Sequence, residues 1–304
     1  MTLLESFQPV PLDVLRLDQI AGFDIYIRVD PEKPLVLYRE KALPFTRGTR
    51  ARLVKNGVRR VYIHVDQQQE YRQYVERNLG AILADPRLEP SEKGGVLYNS
   101  VTGLIEDTLK EPRAPEVVPR SKEMVRNTCK YLFEQKGALE HLMRVSSFDY
   151  YTYTHSVNVF VFSLSLFGRV YFRDDDLMDF GLGALLHDIG KSAVDPAVTS
   201  CKGKLTPGQF EEMKKHTIYG HQILTEHGSV GSIPLDVTLH HHEKLDGSGY
   251  PDGLKGDEIT EFARMVTIAD IFDALTTRRT YKDAMNSYPA LAFMKNEMGH
   301  HLDA

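Results

Sequence analysis

Long apolar runs are missing from this 304-residue chain. The longest, Val157 to Phe167, is interrupted by Asn158, Ser163 and Ser165. At roughly 11 residues it is too short to span a bilayer and reads as a buried helix. Cysteine is scarce: Cys129 and Cys201 are the only two. That excludes a disulfide framework and fits a reducing, cytoplasmic setting. No basic segment followed by an apolar stretch opens the chain, so no signal peptide is expected. Positive charge is in deficit, with a formal net charge of −5. No global basic field therefore exists to hold long nucleic acid, although a small anionic substrate needs only a local basic cluster. Internal repeats and low-complexity tracts are also lacking.

What is present is a 42% hydrophobic content, ordinary for a protein with a substantial core, in a length that suggests about two domains. Residues 1–111 differ from the rest. Asp24 to Val29 and Leu35 to Tyr38 are β-prone, Arg59 to Val65 alternates as a strand does, and Gln67 to Leu83 turns helical. This predicts a small α/β module, in which the isolated His64 reads as a strand residue. Pro112, Pro115 and Pro119 mark a linker or a helix start. Helical signals then dominate residues 112–304. Helices are expected to open at Ser121 and to cover Thr154 to Phe167, Asp174 to Leu186, Glu211 to His227, Ile233 to His242 and Ile259 to Thr277. Thr206-Pro207 is a further helix start, and the Gly- and Pro-rich Asp246 to Glu258 is a structured loop. The predicted fold class is a mainly α domain preceded by a small α/β domain.

The chemistry concentrates in that second part. His187 and Asp188 are adjacent, near a helix end expected at about Gly190. An imidazole and a carboxylate side by side can hold one divalent metal, and the second carboxylate oxygen can reach another. The same pair is also compatible with an ordinary polar helix end. Lys191 could bind a phosphate or protonate a leaving oxygen, or simply complement the helix dipole. His155 and His216 each stand alone on a predicted helix, where a single histidine is ordinarily not a ligand. His240-His241-His242-Glu243 leaves its register ambiguous. Adjacent histidines could share a cavity only where their helix ends, and Glu243 reads either as a partner orienting a histidine or as a solvated acid. Asp270 has apolar neighbours on both sides, so it is expected to be buried and paired or metal-bound. Asp273 lies one turn on. Arg279 and Lys282 form either a phosphate clamp or a solvated basic face. Nitrogen and oxygen donors on several segments, with no cysteine among them, suit Fe, Mn or Zn in an open site.

The set His187-Asp188-Ile189-Gly190-Lys191, His241-His242-Glu243, Asp246-Gly247-Ser248-Gly249-Tyr250-Pro251 and Asp270-Ile271-Phe272-Asp273-Ala274 resembles the HD-GYP family, a branch of the HD-domain metal phosphohydrolases. The resemblance runs from about Thr154 to Met298. It implies hydrolysis of cyclic di-GMP to pGpG and onward to GMP, or of 3′,3′-cyclic GMP-AMP in some members. A low-activity receptor or scaffold is the alternative. It also implies metal ligands at His155, His187, Asp188, His216, His241, His242 and Asp270, with Asp188 bridging two divalent metals, Fe or Mn first, with Zn, Ni or Mg also fitting. Lys191 and Asp188 are the implied catalytic residues, and Lys191, Tyr250, Arg279 and Lys282 the substrate contacts. Members with a third metal carry Glu where this chain has Tyr151, so a dinuclear centre is expected. The Gly249-Tyr250-Pro251 loop is where such proteins meet GGDEF-type partners, and a homodimer is compatible with the resemblance. The family usually continues past the position of Ala304, and His300 and His301 match no ligand position. Residues 1–111 show no receiver-type acidic cluster and are expected to be regulatory.

Overall fold

Alternation along Arg60–His64 buries Val61 and Ile63 and leaves Arg60 exposed, as a half-buried strand requires. The computed structural model describes residues 6–29, 33–145, 152–170, 176–201, 203–278 and 284–303. It divides into two compact units, 1–100 and 101–304. The first holds β1 (Phe7–Pro11), β2 (Gln19–Ile20), β3 (Ile25–Ile27), β4 (Val36–Arg39), β5 (Pro44–Phe45), α1 (Arg47–Lys55), β6 (Arg60–His64) and α2 (Gln68–Leu83). One antiparallel sheet has the order β1-β6-β3-β4, and β2 pairs with β5. The β-prone runs and the helix read from the sequence all form. Strand β1, which is not among the runs read from the sequence, contains Pro9 and Pro11. It lies at the sheet edge, where a missing N–H costs no ladder bond. Helix α2 buries Tyr71, Tyr74, Val75, Leu79, Ile82 and Leu83 along one face, the spacing of an amphipathic helix. Phe23 sits edge-on to Tyr71 and Tyr74, with centroids 5.5 and 5.4 Å away. Beside them Asp85 accepts hydrogen bonds from Arg16 Nη1 at 3.0 Å and from Arg87 Nε at 2.8 Å.

Helix α3 (Pro90–Lys110) contains the point of division. The second unit continues with α4 (Val117–Glu134), α5 (Ala138–Val145), α6 (Thr152–Val170), α7 (Leu177–Leu186), α8 (Pro196–Thr199), α9 (Pro207–Lys214), α10 (His216–Glu226), α11 (Ser232–His240), α12 (Glu261–Thr276) and α13 (Ser287–Glu297). Helix α4 starts four residues before Ser121, with Pro119 in its first turn, where an N–H would have no helical partner. Helix α7 is buried throughout from Phe180 to Leu186 and packs against α4, α6 and α11. Burying each of Phe180, Leu182, Leu185 and Leu186 contributes about 1.5–3 kcal/mol. That outweighs the helix propensity lost at Gly181 and Gly183, about 1 kcal/mol each. Phe167 of α6 stacks on Phe180 of α7 at 4.9 Å, and Phe262 of α12 lies 5.9 Å from Phe180. These rings lock together the helices that carry His155, His187 and Asp270. Helix α13 covers the far end of α12 through Ala290 and Met294 against Leu275. Among the described residues no helix is long and apolar enough to cross a membrane.

Helix α7 ends at Leu186, the last residue of the range read from the sequence, and a 3-10 turn over Ile189–Ala193 carries the chain past Gly190. The single helix expected over Glu211 to His227 is two: Lys215 N–H bonds back three residues to Glu212 O, which tightens the chain and starts a new helix at His216. One close contact brings the two segments together. A Cβ at position 190 would lie 1.8 Å from His216 O, so Gly190 lets the start of α10 rest directly on the turn after Asp188.

Candidate metal centre

Asp188 is the hub. It is 3% exposed and follows His187, which caps α7. Its Oδ2 lies 3.6 Å from His155 Nε2 and 3.4 Å from His187 Nε2. Its Oδ1 lies 3.4 Å from His216 Nε2 and 3.9 Å from His241 Nε2. The two oxygens thus face two imidazole groups, His155 with His187 and His216 with His241 and His242, each with donor atoms within 4.8 Å of one another. Asp270 completes the ring, with Oδ1 3.1 Å from His155 Nε2 and Oδ2 3.7 Å from His242 Nδ1. All of the ligand positions implied by the resemblance therefore converge.

The backbone sets the tautomers. His187 Nδ1 donates to Ala184 O at 2.8 Å, His216 Nδ1 to Met213 O at 2.6 Å, and His241 Nδ1 to Val237 O and Thr238 O, both at 3.1 Å. A carbonyl only accepts, so each Nδ1 carries the proton and each neutral Nε2 presents a lone pair. His155 Nδ1 donates to Asp273 Oδ2 at 2.7 Å, and Asp273 Oδ1 accepts from Asn158 Nδ2 at 2.8 Å and Thr277 Oγ1 at 2.9 Å. Asp273 is thus the carboxylate that orients His155, a role its position one turn beyond Asp270 only hinted at.

These residues fit a divalent cation. His216 Nε2 and His241 Nε2 face each other at 3.3 Å with both Nδ1 protons committed elsewhere. Two lone pairs at that distance repel unless a cation or proton joins them. Burial, the largest influence, pushes His216 down to about 3 and His242 down to about 4, and holds His241 well below its ordinary value, so a proton is disfavoured at neutral pH. His187 Nε2 and Asp188 Oδ1 are buried without a hydrogen-bond partner among the described residues, although buried polar atoms are nearly always satisfied. Burial opposes ionisation of Asp188 and Asp270. Lys191 and the imidazoles around Asp188, and His155 beside Asp270, nevertheless hold both carboxyls well below the usual range.

Lys191 does reach the centre, its Nζ donating to Asp188 Oδ2. Glu243 does something other than expected. It is 2% exposed, and among the described residues its hydrogen bonds go to backbone N–H groups and not to a histidine. Its Oε1 accepts from the backbone N–H of Asp252 and Gly253 at 2.7 and 3.0 Å, and its Oε2 accepts from Leu254 at 3.1 Å. It therefore anchors the Gly-Tyr-Pro loop. The loop passes so close that a Cβ on Gly249 would meet Glu243 Cα at 2.4 Å. Anchored there, the Tyr250 ring stands 4.8 Å from that of His242. His240, outside the ligand set, bridges Asp236 at 2.7 Å and Asp252 at 3.1 Å. His301 pairs with Asp246 at 3.3 Å. Tyr151, Arg279 and Lys282 lie outside the described residues.

The sequence pattern of the HD-domain family matches residues 154–304. A cyclic di-GMP phosphodiesterase of Pseudomonas aeruginosa is 36% identical over 180 residues, 59% of this chain and 44% of that protein. A 3′3′-cGAMP-specific phosphodiesterase of Vibrio cholerae is 39% identical over 153 residues, 50% of this chain and 33% of that protein. The chain thus spans less than half the length of these curated relatives. In fold, it is similar to an HDG"Y"P protein from Bdellovibrio bacteriovorus, with a TM-score of 0.66 and 21% identity over 98% of this chain and 95% of that one. With the His-Asp, His-His-Glu and Gly-Tyr-Pro motifs all inside the matched stretch, the chain belongs to the HD-domain family, in its HD-GYP branch.

Proposed function

We propose that residues 112–304 form a metal-dependent phosphodiesterase that hydrolyses cyclic di-GMP to pGpG and onward to GMP. The observation that carries this reading is the division of imidazoles between the two oxygens of Asp188. His155, His187, His216, His241, His242 and Asp270 would hold two divalent metals around it, Fe or Mn by the mixed His/Asp donor set. Metals held there would lower the pKa of water toward neutrality and polarise a phosphoryl oxygen.

The protein's own groups do the rest. Asp188 holds the two histidine groups in one frame. The Nδ1 hydrogen bonds keep each Nε2 aimed inward, and burial keeps His216, His241 and His242 neutral and ready to ligate. Lys191 Nζ, already within the centre, would turn to a phosphoryl oxygen and deliver a proton to the leaving oxygen. Arg279 and Lys282 would hold the second phosphate. Tyr250, set beside His242 by the Glu243 anchor, would line the substrate cleft and exclude water.

The likeness to a protein named for 3′3′-cGAMP supports that dinucleotide as a second substrate. The Gly249-Tyr250-Pro251 loop would meet GGDEF-type partners, and a homodimer is compatible with either role. Residues 1–111 contribute no candidate metal cluster among their described residues, which supports a regulatory role. Two free cysteines fit a cytoplasmic setting. The test is anaerobic loading with Fe or Mn, metal analysis, and chromatography of the products from both dinucleotides. Two metals per chain and the appearance of pGpG are expected. A metal-loaded protein that leaves both dinucleotides intact overturns the reading in favour of a receptor or scaffold.

A further inference from the structure

Helix α9 turns a chemically mixed face toward the Gly-Tyr-Pro loop. Phe210 and Lys214 are four residues apart and so share that face. The Phe210 ring lies 6.4 Å from the Tyr250 ring at 83°. Lys214 Nζ stands 5.0 Å from the Phe210 centroid and 5.6 Å from that of Tyr250. Tyr250 in turn neighbours His242 at 4.8 Å. A row of rings therefore runs outward from a ligand histidine, with an ammonium over its outer two members. Phe210 is 46% exposed. A lone exposed aromatic means little, but an exposed ring beside a half-buried one, with a cation over both, makes a built surface. Lys214 also pairs with Glu211 at 2.7 Å, a solvent-facing contact that costs little to break.

The exposed Phe210 side of this corner matches the chemistry of a purine base. An aromatic face stacks a base of any sequence. The ammonium adds direction, since guanine presents N7 and O6 as two adjacent acceptors, whereas adenine places an N6 donor where guanine has O6. We propose that Phe210, Lys214 and Tyr250 form a recognition platform for one guanine of the cyclic dinucleotide. This rests on the phosphodiesterase reading above. Phe210 supplies the stacking face and Lys214 the selection against adenine.

The test uses the full chain loaded with metal. Steady-state kinetics are measured with cyclic di-GMP and cyclic di-AMP, alongside fluorescence titration with a cyclic di-GMP analogue in which fluorescent 8-vinylguanine, which keeps N7 and O6, replaces both bases. Phe210→Ala should raise KM for cyclic di-GMP roughly ten- to a hundredfold, with a smaller fall in kcat, unchanged metal content and loss of the fluorescence quenching that stacking causes. Phe210→Trp should restore KM and quenching. Lys214→Ala should narrow the preference for cyclic di-GMP over cyclic di-AMP. Wild-type KM and quenching in Phe210→Ala would overturn the platform. If the wild-type protein turns over no dinucleotide, the phosphodiesterase reading fails by itself. The platform is then decided by whether Phe210→Ala abolishes the quenching.

Discussion

Asp85 and Asp188 are both buried carboxylates, 6% and 3% exposed, and they end in opposite conditions. Asp85, in the α/β unit, is saturated: Arg16 and Arg87 donate to its oxygens, and the Arg87 N–H closes a turn on Oδ1 at 3.0 Å. Asp188, in the helical unit, keeps an oxygen with no hydrogen bond among the described residues and faces imidazole lone pairs. Guanidinium is a permanent cation with a fork that fits carboxylate, so Asp85 can be settled by protein alone. Asp188 has one ammonium, that of Lys191 on Oδ2, and neutral imidazole cannot settle its other oxygen in that way. The difference separates a buried charge that belongs to the fold from one that awaits a cation.

Asp188→Ala should break the contrast most severely. Loss of a shared ligand should weaken metal binding well beyond the roughly ten- to hundredfold that removal of an orienting partner costs, and phosphodiester hydrolysis should fall with it. The metal-free variant should unfold somewhat earlier than metal-free wild type, because Lys191 loses its ion-pair partner. Metal analysis and calorimetry of both forms check this, and a variant with full metal content would remove Asp188 from the centre. Asp85→Ala should do the reverse. Metals should stay bound while stability drops by about 1–3 kcal/mol, because the buried Arg16 loses a charged partner while water can reach Arg87. Chemical denaturation is the measurement.

The same pair has a pH signature. The Arg87 hydrogen bond, working against burial, depresses Asp85 in the folded state. Its stabilisation is therefore present above the ordinary carboxylate pKa of about 3.9 and is lost as pH falls from there through the depressed folded value. Acid unfolding of Asp85→Asn should lack that segment. Asp273→Asn should lower metal affinity roughly ten- to a hundredfold by loosening His155, with little change in the rest of the fold. Isothermal titration with Mn decides it. The smallest effect belongs to His240, raised chiefly by its hydrogen bond to Asp236. This pair should stabilise fully below about pH 6.5 and fade as pH rises through the raised folded value. The contribution is below about 1 kcal/mol for a surface pair of this kind. Melting of His240→Gln beside wild type, at about pH 5.5 and about pH 9, should show a gap only at the lower value.

The ligand motifs were legible because each is compact: an adjacent pair, a triplet, an acid among apolar neighbours. Their arrangement was not. The bond between His155 and Asp273 spans 118 positions and exists only because α6 and α12 pack together. Glu243 sits in a metal motif, and nothing in its local sequence tells that its partners are three backbone N–H groups further along. Phe210 and Lys214 look like any solvated helix face until Tyr250 is brought beside them. Helix α3 was hidden by Gly94 and Gly95, which depress helix propensity in a segment that packing nonetheless winds.

The contact between Gly190 and the start of α10 bears on how such a chain can vary. Gly190 has no side chain to ligate a metal, yet any side chain there would strike the carbonyl of His216 and displace one donor group relative to the other. A saturation library would therefore record this glycine as intolerant as a ligand. The cause would be a spacing between two segments, and a compensating change would have to come from α10 rather than from the neighbours of Gly190 in sequence.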